Sequence, residues 1–305
     1  MDASPQNTVF SRKFFLNALA VGHRTYILSR NSEPVLGVIV IDKLADGTKA
    51  FYTGGVYQGI AFAPNKKESV HGETALRIAA VQALIERMSE RFEEIEFCLH
   101  YSISDLRAFK WFNYKTPELG QFAIDIDYTG IVTLDHAKPF DMYLNTIRSS
   151  RKQDYKKAVK SGFLVEEYDD FAVFENLYRK TFGRQGVAVS DQFMMATARV
   201  IRAAIEVGNG RFTLCRSPKG EPVSTAFFLH DRGAAYYMLG ATDPEFRNDG
   251  VGTQIIIENI RYYAEGRSIV TIDMLGVNSP NRGDYKISFN ASVRPYYSVR
   301  WRRRA

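Results

Sequence analysis

The sequence has few of the residues that build metal or disulfide sites. Its 305 residues include two cysteines, Cys98 and Cys215, and five histidines scattered along the chain. Each cysteine lies within an apolar run, where it packs as a small hydrophobic residue. We therefore expect both thiols to be reduced and neither to be a nucleophile. Because the histidines lack ligand spacing, the sequence predicts no metal site.

Long apolar runs are also missing. No stretch reaches the roughly 20 apolar residues that a helix needs to cross a bilayer. The N-terminal apolar patch has no convincing signal-peptide cleavage site. We therefore expect a cytoplasmic protein that does not insert into a membrane.

Neither sign of charge is in large excess. The formal net charge is +6, but four of the positive charges belong to arginines at the C-terminal end, Arg300, Arg302, Arg303 and Arg304. The mild remainder does not predict binding to DNA over a whole surface, but it suits an anionic ligand in one basic cleft. The share of hydrophobic residues is an ordinary 45%, which at this length predicts two folded domains.

The two halves of the chain repeat one order of predicted elements, with strands and a long helix that leads into a further strand. In the first half we predict a helix over 10–20, strands over 23–29, 34–41 and 49–53, a helix over 72–92 and a strand over 95–100. A helix over 140–160 then leads to a strand at 163–167, helices at 171–182 and 191–207, strands at 211–216, 223–230 and 234–241, a helix at 250–264 and a strand at 269–274. The pattern predicts a mixed α/β fold with domains 1–138 and 139–305, each a central mixed sheet flanked by helices.

One motif carries chemistry. Arg247-Asn248-Asp249-Gly250-Val251-Gly252-Thr253 contains Arg-x-x-Gly-x-Gly and lies between a predicted strand and a predicted helix. The first-turn amides of a helix lack internal partners and lie at the positive end of its dipole, so they bind phosphate where glycines let it approach. The motif predicts a pyrophosphate site. The alternative is a tightly packed helix start that binds nothing.

This motif resembles the signature of the GNAT superfamily, which is Gln or Arg, two residues, Gly, one residue, then Gly or Ala. The resemblance implies an acyltransferase in which residues 247–253 hold the pyrophosphate of an acyl-coenzyme A. It also implies that the strand that includes Leu239 and Ala241 holds the pantetheine arm. A backbone amide near Leu239 would then polarise the thioester carbonyl.

Other segments resemble the FemABX-like branch, whose members carry two tandem GNAT-like domains. The resemblance rests on residues 105–114, the basic helix at 148–160 and the tail from 273 to 297. In that tail, Tyr285-Lys286-Ile287-Ser288-Phe289-Asn290 is similar to the branch's Phe-Lys-x-x-Phe-Gly element, with Asn290 in place of the glycine. The resemblance implies a first domain without a cofactor motif, and acceptors that are amines of cell-envelope precursors or nucleotide-linked sugars.

Amide formation from a thioester needs a neutral amine, a polarised carbonyl and a proton for the leaving thiolate. Asp273, at the end of a buried strand, is our candidate to accept the amine proton, with His100 as an alternative and a structural role as another. Tyr285 lies roughly where many GNAT enzymes place the tyrosine that protonates the thiolate. Lys286 is a candidate partner for a phosphate or a developing oxyanion.

An aromatic and charged cluster is a candidate acceptor site. Four aromatic residues surround Arg107 and Lys110, and this mixture could stack on a nucleotide base and pair with its phosphates. They are Phe109, Trp111, Phe112 and Tyr114, and Asp105 is a further candidate contact. The alternative is that these aromatic residues belong to the core. The linking helix carries a basic stripe formed by Arg148, Lys152, Lys156 and Lys160. This stripe is either a solvated face or a contact for an anionic acceptor or tRNA.

We therefore expect an N-acyltransferase that moves an acyl group from acyl-CoA, without a metal, to the amine of a nucleotide-linked amino sugar for cell-surface polysaccharide. One rival is a FemABX-type aminoacyltransferase that uses aminoacyl-tRNA on a peptidoglycan precursor. Another, of a different class, is a non-catalytic protein that binds anions or nucleic acid. The sequence leaves open whether the chain forms oligomers.

Overall fold

The computed structural model describes residues 4–19, 22–41, 56–64, 69–266 and 269–304. In the described residues the helices and strands follow one another as α1 (Lys13–Ala18), β1 (His23–Arg30), β2 (Glu33–Ile41), β3 (Ile60–Phe62), α2 (Val70–Arg91), β4 (Glu94–Leu99), α3 (Arg107–Trp111), β5 (Ala123–Thr133), α4 (Phe140–Thr146), α5 (Ser149–Lys160), β6 (Leu164–Glu167), α6 (Phe171–Gly183), α7 (Asp191–Glu206), β7 (Gly210–Arg216), β8 (Pro222–His230), β9 (Ala234–Thr242), α8 (Val251–Gly266), β10 (Thr271–Asp273), α9 (Pro280–Ile287) and β11 (Ser292–Arg302). The predicted mixed α/β class is confirmed. The predicted strand at 49–53 lies outside the described residues.

The chain divides into two compact units. The first comprises residues 1–127 and 295–305, and the second comprises residues 128–294. The chain therefore leaves the first unit within β5 and returns to it within β11. The predicted division into 1–138 and 139–305 does not include this return, since the sequence analysis did not predict either strand.

The first unit is built from antiparallel strands and one long helix. β1, β2 and β3 form an antiparallel sheet in that order, and β4 pairs with β11 in antiparallel fashion from Leu99–Tyr297 to Glu94–Arg302. Helix α2 begins at the cap residue Ser69, whose side chain accepts a hydrogen bond from the amide of Gly72 at 3.1 Å. Its buried residues recur at helical spacing and pack in one core with the strands.

The second unit has a mixed sheet. β6, β7, β8 and β9 are successive antiparallel neighbours, β10 runs parallel to β9, and the end of β5 pairs with β10 in antiparallel fashion. Nearly every residue of β8 is buried. Burial of both faces of a strand requires a layer of helices on each side of the sheet.

Helices supply these two layers. On one face Phe228 packs in a core with the apolar side of α8, which includes Ile256 and Tyr263. On the other face the ring of Phe227 lies 5.9 Å from that of Phe212, which contacts Phe174 of α6 at 5.6 Å. The alternation of side chains along β8 therefore divides its aromatic residues between the two layers.

The predicted helix at 140–160 consists of two helices. α4 ends at Thr146, and Ile147 and Arg148 have extended backbone before α5 begins. The amide of Arg148 donates to the carbonyl oxygen of Ser288 at 3.0 Å, so it is not bonded within a continuous helix. A tertiary hydrogen bond thus ends α4 where the sequence periodicity predicted no break.

No helix in the described residues combines the length and the apolar character needed to cross a bilayer.

The first prediction concerns β11, which supplies the buried Trp301 to the core of the first unit. Trp301 is 4% exposed, its indole contacts Phe112 at 5.8 Å, and its Nε1 donates to the carbonyl oxygen of Gly120 at 3.2 Å. Trp301→Ala should lower the free energy of unfolding by about 3–5 kcal/mol, as measured by urea denaturation. Arg302→Ala, at an exposed position on the same strand, is the control and should change it by less than about 0.5 kcal/mol. Equal effects of the two substitutions would contradict the placement of β11 in this core.

Candidate active site

The site begins where two parallel strands separate. β9 pairs with β10 at Ala234, Ala235 and Tyr236, and β10 ends there, at Asp273. β9 continues to Thr242 and remains paired with β8 alone. Among the described residues, no neighbouring strand therefore occupies the second edge of the last six residues of β9.

The hydrogen-bonding register shows which backbone groups face this open edge. The amide of Thr242 donates to Thr181 Oγ1 at 3.0 Å and its carbonyl oxygen accepts from the same hydroxyl at 2.9 Å, so both groups point away from β8. The groups of successive residues in a strand point to opposite sides. Gly240 therefore presents its amide and carbonyl to the open edge.

Leu239, in contrast, faces β8. It lies opposite Phe227, and the register between β8 and β9 shifts directly before it, which makes Met238 the extra residue of a bulge. The sequence analysis expected the amide near Leu239 to point at a ligand. The register instead gives the amide of Gly240 the orientation toward the open edge. The prediction differed because the sequence does not reveal the bulge at Met238.

The chain turns from β9 into a short 3-10 helix, Pro244–Asp249, and then into α8. Gly250 lies between the two helices with a φ of +77°, a left-handed conformation that favours glycine. A Cβ at Gly250 would also overlap the carbonyl oxygen of Asp154 in α5. Close packing of α5 therefore requires glycine at position 250. A tightly packed helix start of this kind is the alternative to phosphate binding that the sequence left open for this motif.

Gly252 has a different environment. A Cβ at Gly252 would lie 3.0 Å from Thr242 Oγ1 and 3.6 Å from Tyr285 Oη, with no backbone atom in contact. Both glycines line a cavity of about 1030 Å³, which also takes in Gly240 and Thr242. This cavity joins the open edge of β9 to the first turn of α8.

Most of the predicted cofactor residues line the cavity. They are Leu239, Ala241, Arg247, Asn248, Gly250, Gly252 and Thr253. Val251 is fully buried in the core, and Asp249 forms an ion pair with Lys157 at 3.1 Å. These last two residues are not among those that line the cavity.

Two predicted catalytic residues on α9 also line the cavity. Tyr285 Oη lies 3.4 Å from Thr253 Oγ1, and burial raises its pKa to about 12. Lys286 Nζ donates to the carbonyl oxygen of Leu275 at 2.8 Å and lies 5.4 Å from the centre of the Tyr237 ring. Burial, aided by the charge of Arg282, lowers the pKa of Lys286 to about 8, although Asp273 acts in the opposite direction.

Asp273 has a buried, structural environment. It is 1% exposed, and its Oδ1 accepts hydrogen bonds from Thr129 Oγ1 and, at 2.8 Å, from the amide of Leu275. Asp273 does not line the cavity. His100, the alternative, lies in the first unit with its Nδ1 2.8 Å from Ser102 Oγ, and burial lowers its pKa to about 4.

The predicted acceptor cluster lies in the first unit. Arg107 forms an ion pair with Asp105 at 2.7 Å and its guanidinium lies 5.7 Å from the centre of the Trp111 ring. Trp111 and Tyr114 are 46% and 72% exposed, whereas Phe109 is buried in the core of the first unit and Phe112 packs against that core. All residues that line the cavity belong to the second unit.

Sequence reasoning missed several basic residues of the cavity. Besides Arg247 and Lys286, its lining includes Arg151, Arg184 and Arg282, against two acidic residues, Asp154 and Asp284. Arg151 stands one residue before Lys152, a member of the predicted basic stripe, and faces the cavity instead. The spacing of basic residues along α5 identifies a stripe, but it does not show which face of α5 packs against α8.

Within the described residues, no group of three or more histidine, cysteine or acidic side chains is arranged to hold a metal ion.

Residues 144–286 match the family model of the acetyltransferase (GNAT) domain. This match covers α5, the open edge, the glycine motif and most of α9, and it confirms the GNAT resemblance drawn from the motif. The protein is thus an acyltransferase of the GNAT type. No curated protein shows significant sequence similarity to the chain.

Solved structures show the same fold over nearly the whole chain. FemX is 14% identical, with a TM-score of 0.70 over 97% of this chain and 93% of its own. L-PGS from Bacillus licheniformis is 11% identical, with a TM-score of 0.51 over 93% and 85%. A tandem GNAT protein from the clavulanic acid biosynthesis pathway, also 11% identical, has a TM-score of 0.50 over 92% and 82%. The predicted tandem GNAT fold of the FemABX-like type is therefore confirmed.

The second prediction separates the two demands on Gly250. Gly220 has a φ of +84° with no atom within 4 Å of an added Cβ, so Gly220→Ala should cost about 1–2 kcal/mol of backbone strain alone. Gly250→Ala should cost about 1–3 kcal/mol more, because the methyl group overlaps the backbone of Asp154. Urea denaturation of both variants measures this difference. Equal costs would show that α5 does not pack tightly on the loop.

Proposed function

We propose that this chain is an N-acyltransferase that moves an acyl group from acyl-CoA to the amine of a nucleotide-linked amino sugar used for cell-surface polysaccharide. The proposal rests on one observation. The open edge of β9 and the glycine-opened first turn of α8 line the same cavity. A strand edge suits an extended amide-bearing arm, and a helix N-terminus suits a phosphate. Coenzyme A carries both groups. A cytoplasmic location stays a prediction.

The residues present fit this donor. The first-turn amides of α8 and the side chain of Arg247 would hold the pyrophosphate, and Gly252, which lines the cavity, adds no side chain above that turn. Tyr285 Oη, which lies 3.4 Å from Thr253 Oγ1, would donate to the same phosphates. The pantetheine arm would lie along the edge of β9 at Gly240.

The chemistry is direct attack of the amine on the thioester carbonyl. The amide of Gly240 would donate to the developing oxyanion. Lys286, in its neutral form, would accept the proton from the attacking amine while the new C–N bond forms. As the C–S bond breaks, the Lys286 ammonium would return that proton to the thiolate.

The basic character of the cavity supports an acceptor that also carries phosphate. Arg184 and Arg282 line it but do not belong to the glycine motif, so they are candidates for a second anionic group. A nucleotide-linked amino sugar has the required diphosphate and an amine. Asp105, Arg107, Trp111 and Tyr114 stay predicted acceptor contacts.

A FemABX-type aminoacyl transfer from tRNA to a peptidoglycan precursor is the second candidate. Two observations favour it, namely the fold similarity to FemX and the packing of α5 against Gly250, which covers part of the glycine loop. Turnover of an aminoacyl-tRNA without any affinity for coenzyme A would favour this candidate. The GNAT domain disfavours the rival of another class, a non-catalytic anion-binding protein.

The third prediction tests the donor with Gly252→Asp. A carboxylate in the first turn is favourable to the helix dipole, and the added Cβ requires only that Thr242 Oγ1, 3.0 Å away, shift by a few tenths of an ångström. The carboxylate would occupy and repel the phosphate position. Isothermal titration calorimetry should show micromolar binding of coenzyme A to the wild type and a loss of at least about tenfold in the variant.

The matched control is Gly233→Asp. It adds the same charge at the turn between β8 and β9, where an added Cβ meets no atom within 4 Å and which does not line the cavity. Its affinity for coenzyme A should equal that of the wild type. The acyl-CoA proposal would be wrong if the wild type did not bind coenzyme A or if both variants bound it equally well.

The fourth prediction concerns pH. The pKa of Lys286 is lowered to about 8. The fraction of Lys286 in its neutral form therefore increases as the pH rises through 8, and the ammonium form predominates at lower pH. The rate of acyl transfer from acetyl-CoA to a UDP-linked amino sugar should therefore rise from pH 6.5 to pH 9. Lys286→Met and Lys286→Arg should both lose most of the rate at every pH.

The titration of the acceptor amine contributes to the same profile. The Lys286→Met variant retains that contribution, so the difference between its profile and that of the wild type reports Lys286. A variant with the wild-type rate and pH profile would exclude Lys286 as the base.

A further inference from the structure

Thr181, near the end of α6, binds the backbone of β9 where a neighbouring strand would otherwise lie. Its Oγ1 accepts from the amide of Thr242 at 3.0 Å and lies 2.9 Å from the carbonyl oxygen of the same residue. One side chain thus contacts both backbone groups of Thr242. No motif in the sequence identifies this threonine.

We infer that Thr181 is a positioning residue that holds the end of β9 in place at its open edge. The hold of Thr181 on the strand needs no ligand. Its effect on binding rests on the proposed function, in which the open edge of β9 receives the acyl-CoA donor. Thr181, Gly240 and Thr242 all line the same cavity, so the contact lies within the candidate site.

The neighbouring residues show why this position matters. Lys180 Nζ donates to Asp243 Oδ2 at 2.7 Å, and Asp243 Oδ1 accepts from the amide of Glu245 at 3.1 Å. Consecutive residues of α6 therefore bind Thr242, the last residue of β9, and Asp243, which follows it before the glycine motif. The last turn of α6 fixes where the strand stops and the loop begins.

The hydroxyl of Thr181 has one proton and two carbonyl acceptors. Besides Thr242, the carbonyl oxygen of Leu177 lies 2.9 Å from Oγ1, as in a helical threonine that bonds back to its own helix. The hydroxyl can donate to one of them at a time, while in both cases it accepts from the Thr242 amide. The carbonyl oxygen of Thr242 can therefore be released to a ligand without loss of the amide contact.

A consequence for recognition follows from the register. Of residues 239–242, Leu239 and Ala241 face β8 and Thr242 is bound by Thr181. Gly240 is then the residue of this segment whose amide faces the cavity without such a side-chain partner. An extended ligand would pair with β9 first at Gly240, which places its reactive carbonyl at one defined height along the strand.

The test compares Thr181→Val with Thr181→Ser. Valine keeps the branched shape and removes the hydroxyl, whereas serine keeps the hydroxyl. Amide hydrogen exchange, followed by NMR on ¹⁵N-labelled full-length protein, should accelerate at Thr242 in Thr181→Val and stay at the wild-type rate in Thr181→Ser. The amide of Ala241, which faces β8, is the internal control and should not change.

Binding of coenzyme A supplies the second measurement. Its dissociation constant should rise about tenfold in Thr181→Val, as for the loss of one hydrogen bond that shapes the site, and stay within about twofold in Thr181→Ser. A purely structural role would lower the melting temperature of Thr181→Val but leave its dissociation constant for coenzyme A within about twofold of the wild type.

The two measurements separate the outcomes. Unchanged exchange at Thr242 in Thr181→Val would overturn the positioning role. Faster exchange together with no binding of coenzyme A by the wild type would support the role of Thr181 on the strand and contradict the proposed donor. Faster exchange together with wild-type affinity in Thr181→Val would contradict any contribution of Thr181 to the site.

Discussion

The separation of β9 from β10 after Tyr236 is the constraint on which the site depends. Two parallel strands that stayed paired would bond to each other along their whole length and leave no backbone group for a ligand. Because β10 ends at Asp273, the remainder of β9 keeps one neighbour, β8, and exposes Gly240 on its other side. The side chains that surround the open edge come from α6 and α9, which supply Thr181 and Lys286.

The two glycines of the motif illustrate how binding and packing divide one short segment. Gly250 adopts a left-handed conformation and allows the backbone of α5 to approach, so it would be required even in a protein that bound no phosphate. An added Cβ at Gly252 would meet only side-chain atoms, Thr242 Oγ1 at 3.0 Å and Tyr285 Oη at 3.6 Å, so under the proposed function Gly252 is the glycine beside the ligand. A change at Gly250 therefore reports stability and a change at Gly252 reports binding.

The sequence predicted those parts of the structure that depend on local pattern. The periodic apolar residues of α2 and α8 and the alternation in β7, β8 and β9 gave elements close to the observed ones. β3, α3, β5, α9 and β11 were missed. β11 carries mostly exposed residues with three buried ones, and its pairing with β4 joins positions some 200 residues apart, which no local pattern encodes. The motif located the first turn of α8, but the bulge at Met238 and the role of Thr181 depend on tertiary contacts. The candidate base changed from Asp273 to Lys286 for the same reason, because strand burial does not show which side chain reaches a cavity.

The central claim is that a ligand pairs with Gly240 at the open edge and places its phosphate on the first turn of α8. Amide chemical shifts of the ¹⁵N-labelled protein, recorded as coenzyme A is added, test both contacts at once. We expect large shifts at Gly240 and Gly252 and small shifts at Leu239 and Ala241, whose amides face β8. Shifts at Gly252 without Gly240, or shifts confined to residues outside the cavity, would contradict the claim.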